Sequence, residues 1–148
     1  MPFESRLFVK TSLIALLLAF AAGAALAIAE GLDIAVRPIW RVEHAHLAFV
    51  GWLVNLVIGI AVWMLPLARD IYPETAGRYP KHGPLLVYWL LNGGLALRIA
   101  VEPNLSAGVL LRIALGISAV AQVLAILVFA LIAWQRVRGP ARPAPGVR

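Results

Sequence analysis

The sequence contains no cysteine. That absence removes disulfide scaffolds, thiolate zinc sites, iron–sulfur clusters and thioether-attached haem, all of which need the sulfur. Charge is almost as scarce: charged residues make up 14% of the chain against 62% hydrophobic ones, where a soluble domain carries about 25% charged and roughly 45–50% apolar residues. Composition therefore excludes ordinary globular enzymes, disordered chains, coiled coils and collagen. Acidic residues number seven and histidines three, so a metal would have to be held by imidazole, carboxylate or Met64. No Ser-His-Asp set is present, and Glu43 is the only acidic residue beside the histidines. The net charge of +6 does not point to nucleic acid. The basic residues sit between apolar runs and at the tail, where lysine and arginine set membrane topology.

What the sequence has instead is length enough in apolar runs to cross a bilayer, which takes about 20 residues per helix. Four windows qualify: Ser12 to Ala29, Ala45 to Ala68, Gly83 to Val101 and Ala107 to Trp134. They predict an all-α integral membrane four-helix bundle over residues 1–138, followed by a disordered cytoplasmic tail over 139–148 with three prolines. Prolines 38, 73, 80 and 103 punctuate the connections. Nine basic residues, Arg6, Lys10, Arg69, Arg78, Lys81, Arg136, Arg138, Arg142 and Arg148, fall on the side of the termini and second loop, against Arg37 and Arg41 on the other. Both termini are therefore expected in the cytoplasm. Arg6 and Lys10 ahead of an apolar run and an alanine-rich stretch also resemble a secretory signal, but the run exceeds the usual 7–15 residues, so a retained helix is the reading adopted.

Inside a membrane, polar side chains are where function is sought. Glu43, His44 and His46 open the second window, Arg41 precedes them, Arg98 approaches the end of the third and Arg112 lies just inside the fourth, all at the outer end. His82 and Lys81 stand at the opposite end, roughly 30 Å away across the hydrocarbon core. At 3.6 residues per turn, His44, Ala48, Gly51, Asn55 and Gly59 share one stripe of small or polar residues, suited to facing other helices and to leaving room for a flat macrocycle. His46 points about 200° away from His44 on a regular helix, so the two chelate one ion only if their segment is extended. Asn55 and Asn92 are a candidate interhelical hydrogen-bond pair. Trp52, Trp63, Tyr88 and Trp89 are read as packing and interfacial aromatics.

The run His44-Ala45-His46-Leu47, then Gly51-Trp52, Gly59 and Pro66, resembles the second transmembrane helix of the haem-copper oxidase subunit I superfamily, which includes nitric oxide reductases and short haem-binding relatives linked to denitrification. The resemblance covers about Arg37 to Pro66. It implies that His44 is an axial ligand of haem b at the outer end of a helix running inward, in the plasma (inner) membrane, with electron transfer or binding of a diatomic gas such as nitric oxide as the task. Large family members have many more helices and histidines, so this chain cannot be a complete oxidase or reductase.

On this reading the cofactor residues are His44, His46, Arg41, Arg98, Arg112 and Asn55, with His44 and His46 as metal donors and the arginines set against haem propionates. Arg98 has an alternative partner in Glu102, four residues on. A second ligand would have to come from a second copy of the chain, a respiratory-complex partner, or His46. Two rival readings stand beside it: a cofactor-free accessory subunit or scaffold of a respiratory complex, and a copper- or zinc-binding membrane protein using Glu43, His44 and His46.

Overall fold

The computed structural model describes residues 1–137. Residues 138–148, and with them the expected tail, lie outside that range. Four helical spans are long and apolar enough to cross a membrane, Phe3–Gly31, Ile39–Met64, Gly83–Ala107 and Val109–Arg136, and no strand occurs among the described residues. The molecule is an all-α membrane four-helix bundle.

Local chemistry explains where each span begins and ends. Helix α1 (Phe3–Gly31) starts directly after Pro2, whose fixed φ suits a helix entry, with Glu4 against the positive end of the helix dipole. The second span consists of α2 (Ile39–His46), a π-helical segment (Leu47–Val54) and α3 (Asn55–Met64). It stops at Met64, short of the expected Ala68, because Pro66 forces Leu65 into an extended conformation at ψ 146°. Helix α4 (Gly83–Val101) has Pro84 in its first turn, and Pro103 marks its passage into a 3-10 segment, Glu102–Ala107. Gly108 then turns the chain into α5 (Val109–Arg136). All four spans reach beyond the apolar windows, because helical hydrogen bonding continues into flanking polar residues that hydropathy does not mark.

Packing divides the bundle into two hairpins, α1 against the second span and α4 against α5, joined mainly through the second span and α4. The small-residue stripe performs as its composition implies. Gly51, Asn55 and Gly59 are buried, and a Cβ on Gly59 would stand 2.8 Å from the Cβ of Phe8, so only glycine allows this approach of α1. The apolar core, with Phe8, Ile58, Val62, Val87, Leu91, Ala125 and Ile132, lies toward the end that carries the chain termini. Phe8 meets Tyr88 edge to face at 5.2 Å, and the Tyr88 hydroxyl is 2.8 Å from Thr11 Oγ1, a packing role for Tyr88 as its position implied.

Candidate functional site

At the end away from the termini the helices bring together Glu43, His44 and His46 of α2, Arg98 of α4 and Glu102 of the 3-10 segment. The helix is regular from Ile39 to His46, so residues two apart point about 200° away from each other, and the two histidines serve different surroundings.

His44 turns to α1. Its Nδ1 lies 3.0 Å from the Ala19 carbonyl oxygen. A carbonyl only accepts, so Nδ1 carries a proton, and in the neutral ring Nε2 then keeps its lone pair, the form in which imidazole ligates a metal. Gly23, one turn further along α1, makes this seat possible, since a Cβ there would stand 3.0 Å from His44 Cε1. The ring separates two clefts. One, about 320 Å³, is lined by residues including Ala22, Ala25, Trp40, Glu43 and Ile99. The other, about 530 Å³, is apolar apart from His44 and is walled by Ala19, Phe20, Gly23, Ala24, Ala48 and Trp52 among others. Both volumes fall within the roughly 300–1,000 Å³ of small-molecule sites.

His46 faces elsewhere. Its Nδ1 donates to the Val42 carbonyl at 2.9 Å, one turn back, which again leaves Nε2 free. A third depression beside it is lined by Arg41 and Gln122. The two histidines do not converge on one point.

None of the three arginines lines either cleft beside His44. Arg98 grips Glu102, Nε to Oε2 at 2.7 Å and Nη2 to Oε1 at 3.4 Å, the alternative its spacing offered. Arg41 faces Glu30 at 3.6 Å with both side chains exposed, and Arg112 is exposed. Asn55 is fully buried, and its amide is committed to structure: Nδ2 donates to Val50 and Gly51 carbonyls at 3.0 and 3.1 Å and to Asn92 Oδ1 at 3.0 Å, while Asn92 Nδ2 returns the bond at 3.0 Å. The carbonyls it reaches lie where π-helical bonding reverts to α-helical, a transition that leaves a carbonyl without its usual partner. His82 precedes α4 at the other end of the bundle, far from His44, as its place in the sequence required.

Glu43, a ligand in the copper or zinc reading, stands out among the described residues. It is 3% exposed, and neither carboxylate oxygen has a hydrogen-bond partner. Ligand atoms of Glu43, His46 and Glu102 all lie within 4.8 Å of one another. No sequence signal places Glu102 there, because its approach to α2 depends on how the two hairpins dock. Comparison of the chain with family models, with curated proteins and with solved structures finds no match in any of the three.

Proposed function

We propose that this chain is a membrane-embedded haem b-binding protein with His44 as an axial ligand, acting in electron transfer or in binding a diatomic gas such as nitric oxide. The observation that carries the reading is the seat of His44: a ring fixed through Nδ1 by the Ala19 carbonyl, which leaves Nε2 as the ligating nitrogen of the neutral ring, and an apolar cleft beside it. Residues fit a single-donor haem site, in which the iron would take Nε2 and the cleft formed by Gly23, Ala24, Ala48 and Trp52 would shelter one edge of the macrocycle. When bound, haem supplies the redox couple or the gas-binding position, and a protein sixth ligand favours the former. The Ala19 carbonyl orients His44, and the alanine and glycine wall would give the ring an apolar surround on one side. Arg41, Arg98 and Arg112 would reach propionates only by leaving their present positions. A second copy or a respiratory partner covering the open side would complete the site. The basic-residue asymmetry supports cytoplasmic termini, and the family resemblance supports the plasma membrane.

The test is an absorption spectrum of protein produced with ample haem. A Soret band that His44→Ala abolishes and His46→Ala preserves is expected. Colourless wild-type protein overturns the reading and favours a cofactor-free accessory subunit.

A further inference from the structure

A carboxylate taken out of water with nothing to bond to is costly, and the cost is greatest in a helical bundle surrounded by lipid. Glu43 is in that position at 3% exposure, with no hydrogen-bond donor reaching either oxygen and a second carboxyl group, Glu102, as its polar neighbour. A second carboxylate, Glu102, and an imidazole, His46, present ligand atoms to it within 4.8 Å. We propose that Glu43, His46 and Glu102 form a binding site for a first-row divalent transition-metal ion, separate from the donor at His44.

Each group is already prepared for that role. The bond from His46 Nδ1 to the Val42 carbonyl fixes the tautomer that leaves Nε2 as a donor, the usual outer support of a metal-bound histidine. Arg98 holds Glu102 through both oxygens and orients its carboxylate in the same way. With both carboxyl groups ionised, the pair and one guanidinium carry one net negative charge, which a dication offsets. The imidazole donor favours zinc, iron, copper or nickel over magnesium or calcium, which prefer oxygen alone. Bonds of about 2.0–2.2 Å at tetrahedral angles set ligand atoms roughly 3.4 Å apart, so closure needs side-chain movement of about an ångström, which glutamate rotamers supply. Three protein ligands leave a fourth position open to water or an added ligand. The ion would also tie α2 to the end of α4, joining the two hairpins where the apolar core is absent.

Full-chain protein in detergent, stripped with a chelator, is titrated with Zn²⁺, and with Co²⁺ as a visible-absorption reporter of nitrogen–oxygen coordination. One ion per chain is expected. Glu43→Gln, Glu102→Gln and His46→Ala should each weaken binding at least about tenfold, the lower end of what even changes beyond the ligands cost. Glu30→Gln and His44→Ala should leave it unchanged, and zinc binding retained in His44→Ala separates this site from the haem reading. Absence of stoichiometric binding by wild-type protein, or affinity that survives Glu43→Gln, overturns the proposal. An infrared carboxylic-acid band that disappears in Glu43→Gln would then assign the cluster to a shared proton. If Glu43→Gln fails to insert, the Co²⁺ spectrum decides: bands altered by His46→Ala uphold the site, and bands indifferent to it overturn it.

Discussion

The two ends of this bundle solve the same problem in opposite ways. At the end with the termini, Arg136 is 1% exposed and spends its guanidinium on three carbonyls at the finish of the second span: Nη1 donates to Val62 at 3.1 Å, Nη2 to Leu65 at 2.6 Å and Nε to Pro66 at 3.1 Å. Val62 lies in the last turn of α3 and Leu65 and Pro66 just beyond it, where carbonyls have no helical partner, and a cation there also meets the negative end of the helix dipole. Tyr79 donates to Glu4 at 2.7 Å, tying the second loop to α1. Apart from the Ser5 hydroxyl, this end has no buried side-chain polar atom without a partner among the described residues. At the other end, Glu43 is buried and unpartnered, two histidines keep free Nε2 atoms, and clefts flank His44. Polar groups completed internally hold a fold together, whereas polar groups left incomplete at a stated cost mark the place where something outside the chain is expected to bind.

Breaking the completed end gives the largest effect. Arg136→Leu removes three charge-assisted hydrogen bonds and leaves buried carbonyls unpaired, at about 1.5–3 kcal/mol for each bond to a charged group before the helix ends relax. A loss of roughly 3 kcal/mol or more in denaturant unfolding in detergent is the expected outcome, and Arg136→Lys should recover part of it because it keeps the charge without the fork. Stability equal to the wild type would show that this end is not held by Arg136.

The incomplete end should respond with the opposite sign. In metal-stripped protein, Glu43→Leu replaces an unsatisfied buried carboxylate by apolar volume and is expected to stabilise by about 1–3 kcal/mol, the desolvation penalty relieved. A thermal unfolding scan in detergent reads the shift. A destabilised Glu43→Leu protein would mean that the carboxylate is already completed and that the contrast between the ends is false.

How much of this was legible in the sequence depends on the range of the interaction. Span number and small-residue stripe were readable, because apolar runs and the positions of Gly51, Asn55 and Gly59 act through one helix and its neighbour. The Arg98–Glu102 pair was visible as a spacing of four. Arg136 was read only as a topology signal, since nothing local shows that it reaches Val62. The meeting of Glu43 with Glu102 was likewise hidden, because it arises from the docking of two hairpins. The π-helical segment Leu47–Val54 also escaped, since the stripe that surrounds it fits an ordinary helix.

Tyr79 sharpens the comparison through pH. Burial, followed by its hydrogen bond to Glu4, pushes the phenol up from 10.0 to about 12. A raised folded value means that the neutral phenol is favoured in the folded protein. Its contribution is therefore fully present below pH 10 and is lost as pH climbs through about 12. At about 1.36 kcal/mol per unit the contribution is roughly 2–3 kcal/mol at most. The stability of the wild type should fall across that window and that of Tyr79→Phe should not, with absorbance near the phenolate band reporting the titration. Parallel pH profiles would detach Tyr79 from the stability of this end.

The smallest effect tests the middle of the bundle, where Asn55 and Asn92 exchange amide bonds at 3.0 Å in both directions. Polar pairs between membrane helices contribute about 0.6 kcal/mol on average and at most roughly 1.7, because the separated helices find other partners. Asn55 does more than pair, since it also reaches the Val50 and Gly51 carbonyls where the π segment ends. Asn92→Leu should therefore cost about 1 kcal/mol. Asn55→Leu should cost more, by the bonds that serve its own helix, and the double variant should fall short of the sum by the energy of the pair. That excess also locates the strain of the π segment. If Asn55→Leu and Asn92→Leu prove equal, the carbonyls at Val50 and Gly51 need no side chain to complete them, and the widened turn below His44 is stable by itself.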